Sequence, residues 1–277
     1  IDLCLGCRAC ETACPSGVQY GSLLEETRDH IEKHHRRGLF QWVLRRLVIE
    51  QVFPFPWRMR LAFLPVRLIR FFRLGFLLPK FAREMTELLP QRLAMGKLSG
   101  ERLAKGAARG RVGFIEGCVM QVMFGDTNKS SVELLNRDGW DVLTPKGQGC
   151  CGALHAHSGQ LAKARDCARR NIAAFEGQSL DAIIINAAGC GSTLVEYGEL
   201  LKDDPAWAER AEAFSAKVKD LVSWLDGSRF PISGSGAKVT YHDACHLAHA
   251  QGITAEPREL VKAKSGGELV ELAESDL

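Results

Sequence analysis

The sequence lacks both a long hydrophobic run and a strong excess of charge of either sign. Its apolar stretches are interrupted well before the roughly 18 residues that a membrane-spanning helix needs, so we expect no transmembrane segment. Lys and Arg number 36 against 33 Asp and Glu, and the net charge of +3 does not argue for nucleic acid as a partner. With 46% hydrophobic and 25% charged residues among 277, the composition is that of a soluble globular chain with one or two cores.

Motifs for nucleotide, flavin or hydrolytic chemistry are also missing. No phosphate-binding loop or Ser/His/Asp constellation stands out, and Gly234-Ser235-Gly236 precedes a predicted strand, which is the wrong context for a dinucleotide loop. There is no secretory signal, yet the chain has ten cysteines, several in C-x-x-C spacing. That combination favours a reducing, cytoplasmic compartment and metal ligation over disulfides. We interpret Cys167, inside a helix-like run, as a buried small hydrophobe.

The densest cysteine pattern is CLGCRACETACPSG. Cys4, Cys7, Cys10 and Cys14 have the C-x2-C-x2-C-x3-C spacing with which bacterial-type ferredoxins bind iron–sulfur clusters, and structural zinc is the alternative. In a two-cluster ferredoxin the fourth cysteine ligates the other cluster, so we expect Cys14 to reach a second 4Fe–4S cluster. The partner run is absent. We therefore expect residues 1–25 to be the C-terminal half of a two-cluster module, and the chain to be a fragment.

Residues 26–108 predict a basic helical connector. Leu, Phe and Arg recur there at helical spacing, interrupted by several prolines. Within residues 39–81 the basic residues are Arg45, Arg46, Arg58, Arg60, Arg67, Arg70, Arg73 and Lys80, against the single acid Glu50. Such a stretch fits an anionic membrane surface or a partner protein. The alternative is a set of short helices whose arginines extend around a core.

From residue 109 the pattern alternates between strands and helices. Strands are predicted at RVGFI, WDVLTP, DAIIINAAGCG (ending in a glycine-rich loop) and KVTYHDAC; helices are predicted at about 126–136, LAKARDCARRNIAAFE, STLVEYGELL and WAERAEAFSAKVKDLVSWL. This predicts a parallel, Rossmann-like layer, in which ligands gather at the carboxyl ends of the strands. A metal site is expected there, because the further cysteines follow strands: Cys118, Cys150, Cys151, Cys190 and Cys245.

RVGFIEGC and KVTYHDAC also resemble each other, with Cys118 and Cys245 in equivalent positions. We therefore expect two tandem α/β units, at 109–236 and 237–277, the second truncated before its own cysteine pair. The predicted fold class is α+α/β, with a partial ferredoxin-like cluster loop and a helical region ahead of the tandem units.

Several of these motifs carry a family resemblance. CRACETACPSGVQYG, EGCVMQVMFGDTN, GQGCCGALHAHSG, NAAGCGSTLVEYG and HDACHLAHAQGI resemble the iron–sulfur subunits of bacterial glycolate oxidases (glycolate dehydrogenases), whose CCG domains are similar to those of the heterodisulfide reductases. The resemblance implies a cluster on Cys118, Cys150, Cys151 and Cys190, with Cys245 in an incomplete second half. Cys190 is followed by Gly191-Ser192-Thr193, without the second cysteine of the family's C-x-x-C, so four thiolates remain for one 4Fe–4S cluster.

The resemblance also implies a function. The chain would relay electrons from flavin-containing partner subunits, which oxidise glycolate to glyoxylate, towards a quinone or another acceptor. It would hold no flavin and no catalytic residue itself, and would lie in the cytoplasm with peripheral contact at the inner membrane through the connector. One alternative is the iron–sulfur subunit of a lactate or glycerol-3-phosphate dehydrogenase. The other is a structural zinc module with ligands from His242, Cys245, His246 and His249, or from Cys150, Cys151, His155 and His157.

The first prediction concerns the N-terminal motif. Cys4→Ser is expected to remove the cluster absorbance of this loop, because a hydroxyl oxygen is a poor substitute for a thiolate on iron. Iron and sulfide are measured after anaerobic reconstitution. Unchanged contents of both in the variant would show that Cys4 is not a ligand.

Overall fold

The N-terminal third of the chain is helical in the computed structural model, which describes residues 1–35, 37–87, 89–90, 96–230, 234 and 236–273. Helices α1 (Ala9–Thr12) and α2 (Tyr20–His34) come first. The connector forms α3 (Leu39–Leu44), a π-helix (Arg45–Val52), α4 (Pro56–Ala62), α5 (Leu64–Phe71), a 3-10 turn (Leu74–Leu77) and α6 (Lys80–Glu87). Pro56 and Pro65 lie in the first turns of α4 and α5, where the missing N–H has no helical partner to lose. The connector is therefore largely helical up to Glu87 within the described residues.

The remainder is an α/β unit. Its strands are β1 (Gly100–Arg102), β2 (Gly110–Phe114), β3 (Trp140–Thr144), β4 (Ala182–Ile185) and β5 (Val218–Asp220). The helices are α7 (Cys118–Met123), α8 (Gly125–Arg137), α9 (Ala153–His157), α10 (Leu161–Phe175), α11 (Ala188–Val195), α12 (Tyr197–Leu200), α13 (Ala208–Lys217), α14 (Leu221–Trp224), α15 (Cys245–Gln251) and α16 (Ala255–Ser265), with a 3-10 turn at Gly227–Arg229. The sheet order is β1-β3-β2-β4-β5. Strands β2 to β5 are parallel, and β1 is antiparallel to β3.

The sheet has a core on each face. Every residue of β4 is buried, as expected for a central strand with helices on both sides. On one face Ile184 packs in a cluster with Phe114 and with Leu135 of α8. On the other face Ile183 and Ile185 share a cluster with side chains of α10, α12 and α13, including Phe175, Tyr197 and Phe214. The two cores keep the carboxyl ends of β2, β3 and β4 side by side.

Two elements differ from the sequence prediction between residues 181 and 225. The glycine-rich segment after β4 is not a loop, because Ala188–Val195 forms α11 and Cys190 is helical. The predicted helix at 207–225 is interrupted by β5, whose Val218 and Asp220 face inward while Lys219 faces out. Three residues with this alternation are enough to extend the sheet, but they are too few to stand out against the helical pattern around them.

The prediction is also wrong at both ends of the α/β region. KVTYHDAC does not form a strand of its own within the described residues; Val239 makes a single parallel bridge with Leu269. In the connector region, Gly100–Arg102 forms β1 although the sequence predicted helix, and because β1 is antiparallel the layer is mixed instead of purely parallel. The fold is thus a mixed helical and α/β arrangement.

Helix α2 ties the N-terminal loop to the α/β unit. Arg28 donates to the Cys4 carbonyl at 2.6 Å and to the His157 carbonyl at 2.9 Å, so one side chain joins the first cysteine to the end of α9. Glu25 pairs with Nδ1 of His157 at 2.9 Å. At Gly159 a Cβ would clash with the Arg28 carbonyl oxygen, and the positive φ of 75° also favours glycine. This close approach requires the absence of a side chain.

A pH prediction follows from Asp220, which is buried at the end of β5 and caps α14 by accepting from the Val222 N–H. Burial raises the pKa of Asp220 to about 6. An unfolded Asp has a pKa near 3.9, so the folded state binds the Asp220 proton more tightly than the unfolded state does. The stability gained from this difference is fully present below about pH 4. Stability is expected to fall by up to about 3 kcal/mol as the pH rises through 6.

The comparison is with Asp220→Asn, which keeps an N-capping side chain but cannot ionise. Chemical denaturation at pH 4, 5, 6 and 7 should show a drop in the parent protein that is missing from the variant. Parallel stability curves for the two proteins would contradict the assignment.

Candidate metal centre

Four cysteines come together at the carboxyl ends of three adjacent parallel strands. Cys118 begins α7 just after β2, the Cys150-Cys151 pair lies in the loop after β3, and Cys190 lies in the first turn of α11 after β4. Parallel strands end at the same edge of a sheet, and ligands gather there. The structure therefore places these four predicted site residues on one edge, although 72 positions separate Cys118 from Cys190 in the sequence.

The thiols are in contact with one another. Sγ of Cys118 lies 3.5 Å from Sγ of Cys150, and both side chains are buried. Hydrogen bonds from the thiols of Cys118, Cys151 and Cys167 lower the pKa of Cys150 well below its usual range. The hydrogen bond to Cys150, together with burial and the proximity of Cys190, raises the pKa of Cys118 and of Cys151. One thiolate is stabilised at the expense of its neighbours, so further ionisation requires a bound cation.

The paired cysteines are held by a buried polar network. Asn171 donates to the Cys150 carbonyl at 3.0 Å and accepts from the Gly149 N–H at 2.9 Å. The Tyr197 hydroxyl donates to the Cys151 carbonyl at 2.7 Å and accepts from Asn171 at 3.0 Å. Asn171 and Tyr197 are fully buried, and both were missed by the sequence reasoning, which had no signal to separate them from other helical residues. Their contacts fix the peptide that carries both thiols.

Gly152 explains the third residue of the Cys-Cys-Gly motif. Its φ of 93° lies in the left-handed region, and a Cβ there would approach Cα of Ala164 and Cβ of Cys167 to 3.2 Å. Its N–H lies 3.4 Å from Sγ of Cys150 and donates to that sulfur. The glycine lets α10 come close to the paired cysteines.

Cys167 has a closer relation to the site than the sequence suggested. It lies on α10, is buried, and shares a cluster with Cys118 and Cys150. The hydrogen bond to Cys150 and burial raise the pKa of its thiol. The predicted burial is confirmed, while the contact with Cys150 could not be read from the sequence because α10 returns to the site only in the folded chain.

The N-terminal loop has the geometry of a sulfur-binding turn. The Gly6 N–H donates to Sγ of Cys4 at 3.4 Å, and backbone N–H groups of Val18, Ser16 and Gly17 lower the pKa of Cys14. Cys7 and Cys10 are exposed. Backbone donors that point at sulfur stabilise a thiolate, which is the form that ligates a metal. At Cys4 and Cys14 the loop thus supplies backbone donors to the sulfur.

Cys245 begins α15, and α15 packs against both α1 and α11. The histidines of the zinc alternative have hydrogen-bond partners elsewhere. Nδ1 of His155 lies 3.2 Å from Oε1 of Gln160, and Nδ1 of His246 lies 2.8 Å from Oγ of Ser192. Among the described residues, no three His, Cys, Asp or Glu side chains converge on a single ion.

The residues present fit an iron–sulfur cluster. A cluster takes thiolates on separate iron atoms, so its ligands need to surround a volume and need not meet at one point. The edge of the sheet supplies four thiols, three of which are buried. Among the described contacts, the hydrogen bonds to these sulfurs come from thiols and from a backbone N–H, and none comes from a carboxylate or an imidazole of the same loops. Soft sulfur ligands of this kind select iron–sulfur clusters, zinc or copper(I).

Comparison with known proteins finds relatives that are described as cysteine-rich or as iron–sulfur subunits. Residues 112–195 and 239–276 match the family described as "Cysteine-rich domain". An alignment of 296 positions, which covers the whole chain, shows 41% identity to the probable glycolate oxidase iron–sulfur subunit of Bacillus subtilis (strain 168). The chain is 34% identical, over 283 residues and again the whole chain, to the glycolate oxidase iron–sulfur subunit of Escherichia coli (strain K12).

A third relative aligns over a shorter range. Lactate utilization protein A of Bacillus licheniformis is 33% identical over 159 residues, which cover 56% of this chain and 66% of that protein. The chain spans 66% of the length of each glycolate oxidase subunit. Within the described part of the chain, no helix combines the length and apolar character needed to cross a membrane.

Proposed function

We propose that the chain belongs to the family of iron–sulfur subunits with cysteine-rich domains that includes those of the glycolate oxidases, and that it is the electron-transfer subunit of a glycolate dehydrogenase complex. The observation that carries the proposal is the meeting of Cys118, Cys150, Cys151 and Cys190 at one edge of the sheet. The N-terminal loop supplies the ligands of a second centre. In this proposal both centres are built from thiols and serve electron transfer, while substrate oxidation takes place on partner subunits.

Oxidation of glycolate to glyoxylate releases two electrons and two protons, commonly as a hydride to flavin and a proton to a base. An iron–sulfur cluster, when bound, supplies one-electron transfer. The chain has no dinucleotide-binding loop in a suitable context, so the flavin belongs to partner subunits. In this proposal the residues of the chain hold the two centres at fixed positions, and electrons pass through them towards a quinone or another acceptor.

The strand-end centre would hold a 4Fe–4S cluster. Cys118, Cys150, Cys151 and Cys190 provide one thiolate for each iron atom. Adjacent cysteines such as Cys150 and Cys151 do not readily form a disulfide with each other, because the peptide between them restricts the sulfur torsion. The buried network of Asn171 and Tyr197 holds the peptide that carries the paired thiols.

A lactate or glycerol-3-phosphate dehydrogenase remains the second candidate, and the similarity to Lactate utilization protein A favours lactate. That similarity covers 56% of the chain, whereas the glycolate oxidase subunits align with all of it. The broader alignment supports glycolate. Affinity capture of the full-length protein and identification of its flavin partner distinguish the two.

The connector supports a docking role. Its inner side is fixed to the site: α4 packs on α7, and Arg45 donates to the Ser158 carbonyl at 2.9 Å. Its outer side carries aromatic residues that are 71–79% exposed, namely Phe40, Phe71, Phe76 and Phe81. Apolar side chains this exposed, among cations, are typical of a surface that meets an anionic membrane. We propose that this side rests on the membrane, close to the strand-end centre.

The structure also refines which cations face outward. Arg70 donates to the carbonyls of Pro90 at 2.6 Å and Leu89 at 3.1 Å, so it stabilises the turn after α6. The exposed cations on the outer side include Arg46, Arg67 and Arg73. These three are better positioned for contact with lipid headgroups.

The strand-end cluster gives a prediction with a matched control. Cys151→Ser should lose most of the iron and sulfide bound at this centre, whereas Cys167→Ser should retain them. Both thiols are buried and hydrogen-bonded to Cys150, so both changes disturb the packing in a similar way. Iron, sulfide and zinc are measured after anaerobic reconstitution. Equal iron in the two variants would refute the ligand assignment, and zinc without iron in the parent would favour the structural zinc module.

The membrane proposal predicts weaker vesicle binding after charge reversal. Arg46→Glu, Arg67→Glu and Arg73→Glu together should reduce sedimentation with anionic vesicles, since each cation near such a surface contributes about 1 kcal/mol. The control is Lys129→Glu, Lys146→Glu and Lys219→Glu, three exposed cations of the α/β unit that give the same net charge. If both triple variants sediment as the parent does, the connector is not a membrane-binding surface.

A further inference from the structure

Helix α15 lies between the two cysteine centres. It packs against α1, which carries Cys10, and against α11, which carries Cys190. Its Leu247 and Ala248 are buried. This short helix therefore joins the element that follows the N-terminal cysteines to the element that carries Cys190.

Two histidines of α15 make equivalent contacts with the two neighbours. Nδ1 of His246 lies 2.8 Å from Oγ of Ser192, and Nδ1 of His249 lies 3.0 Å from Oγ1 of Thr12. Residues three apart lie on the same side of a helix, so the two imidazoles are neighbours on α15. Ser192 follows Cys190 by two positions, and Thr12 follows Cys10 by two positions. Each histidine thus holds the helical turn that carries a cluster cysteine.

Other polar contacts join the same elements. Gln251 donates to the Ala188 carbonyl at 3.2 Å, which fixes the far end of α15 on α11. Arg8, between Cys7 and Cys10, forms ion pairs with Glu11 at 3.0 Å and with Glu196 at the end of α11. The Arg8 side chain is largely buried, and its φ of 68° is unusual for a residue with a side chain. The contacts that position the N-terminal loop are therefore polar and specific.

We propose that α15 is the bridge that sets the distance between the two cluster centres, with His246 and His249 as positioning residues. The inference rests on the proposed function, because it requires a cluster at each centre. Clusters bound at the two centres would supply one-electron transfer between them, a step in which no bond breaks and no proton moves. The rate of such a step falls steeply with separation, so looser packing of α15 slows it without changing either cluster.

The test uses the 277-residue chain, reconstituted anaerobically, and three variants. His249→Phe keeps an aromatic ring but cannot hydrogen-bond to Thr12, whereas His249→Asn retains a polar group near the position of Nδ1. His30→Phe is the matched control, because His30 is an exposed histidine on α2. Three quantities are measured: the potentials of both clusters, the magnetic interaction of the reduced clusters by EPR, and the rate of electron transfer between them after pulsed reduction.

His249→Phe should slow transfer about fivefold, because one hydrogen bond changes a docking equilibrium by about that factor. The variant should also weaken the magnetic interaction of the reduced clusters. Iron content and both potentials should stay as in the parent, and His249→Asn should restore most of the rate. Thr12→Val removes the same hydrogen bond from the other side and should behave like His249→Phe, which covers the case that the latter does not fold.

Unchanged transfer and unchanged magnetic interaction in both His249→Phe and Thr12→Val, with both clusters present, would overturn the bridge and leave the proposed function intact. A parent chain that binds no iron at either centre would overturn the proposed function and the bridge together. A loss of rate that is equal in His30→Phe would also overturn the specific role of α15.

Discussion

The central constraint in this structure is the burial of several thiols at one edge of a sheet. Cys118, Cys150 and Cys151 are each less than 5% exposed, and the thiol of Cys150 takes hydrogen bonds from its neighbours. Buried thiols can pack as small hydrophobes, but ionisation of more than one at such short distances requires a compensating cation. The strand order, the buried Asn171–Tyr197 network and the positive φ of Gly152 all serve to keep these sulfurs in one place.

The rest of the chain is arranged around that edge. The connector packs on α7, the N-terminal loop is tied to the end of α9 through Arg28, and α15 packs against both α1 and α11. Three segments that are distant in the sequence therefore meet where the thiols lie. The proposed electron-transfer role needs such an arrangement, because the centres must be close to one another and also close to the surfaces where partners dock.

The sequence indicated the positions of the cysteines more clearly than it indicated the short strands. The spacing of Cys4, Cys7, Cys10 and Cys14 is itself a chemical signal, and strand-end positions for Cys118, Cys150, Cys151 and Cys190 followed from the alternation of strands and helices. The short strands β1 and β5 were missed, because three residues carry too little periodicity to compete with the helical pattern around them. The contact of Cys167 with Cys150 and the hydrogen bonds of His246 and His249 depend on tertiary packing that local patterns do not encode.

The most direct test of the central claim is the iron content of the strand-end centre alone. In the full 277-residue chain, Cys4, Cys7, Cys10 and Cys14 are all replaced by serine, and the protein is reconstituted anaerobically with iron and sulfide. The account predicts that the protein retains one oxygen-sensitive cluster, visible by its absorbance and by EPR after reduction. A folded protein that stays free of iron, with Cys118, Cys150, Cys151 and Cys190 all reactive towards a thiol reagent, would contradict it.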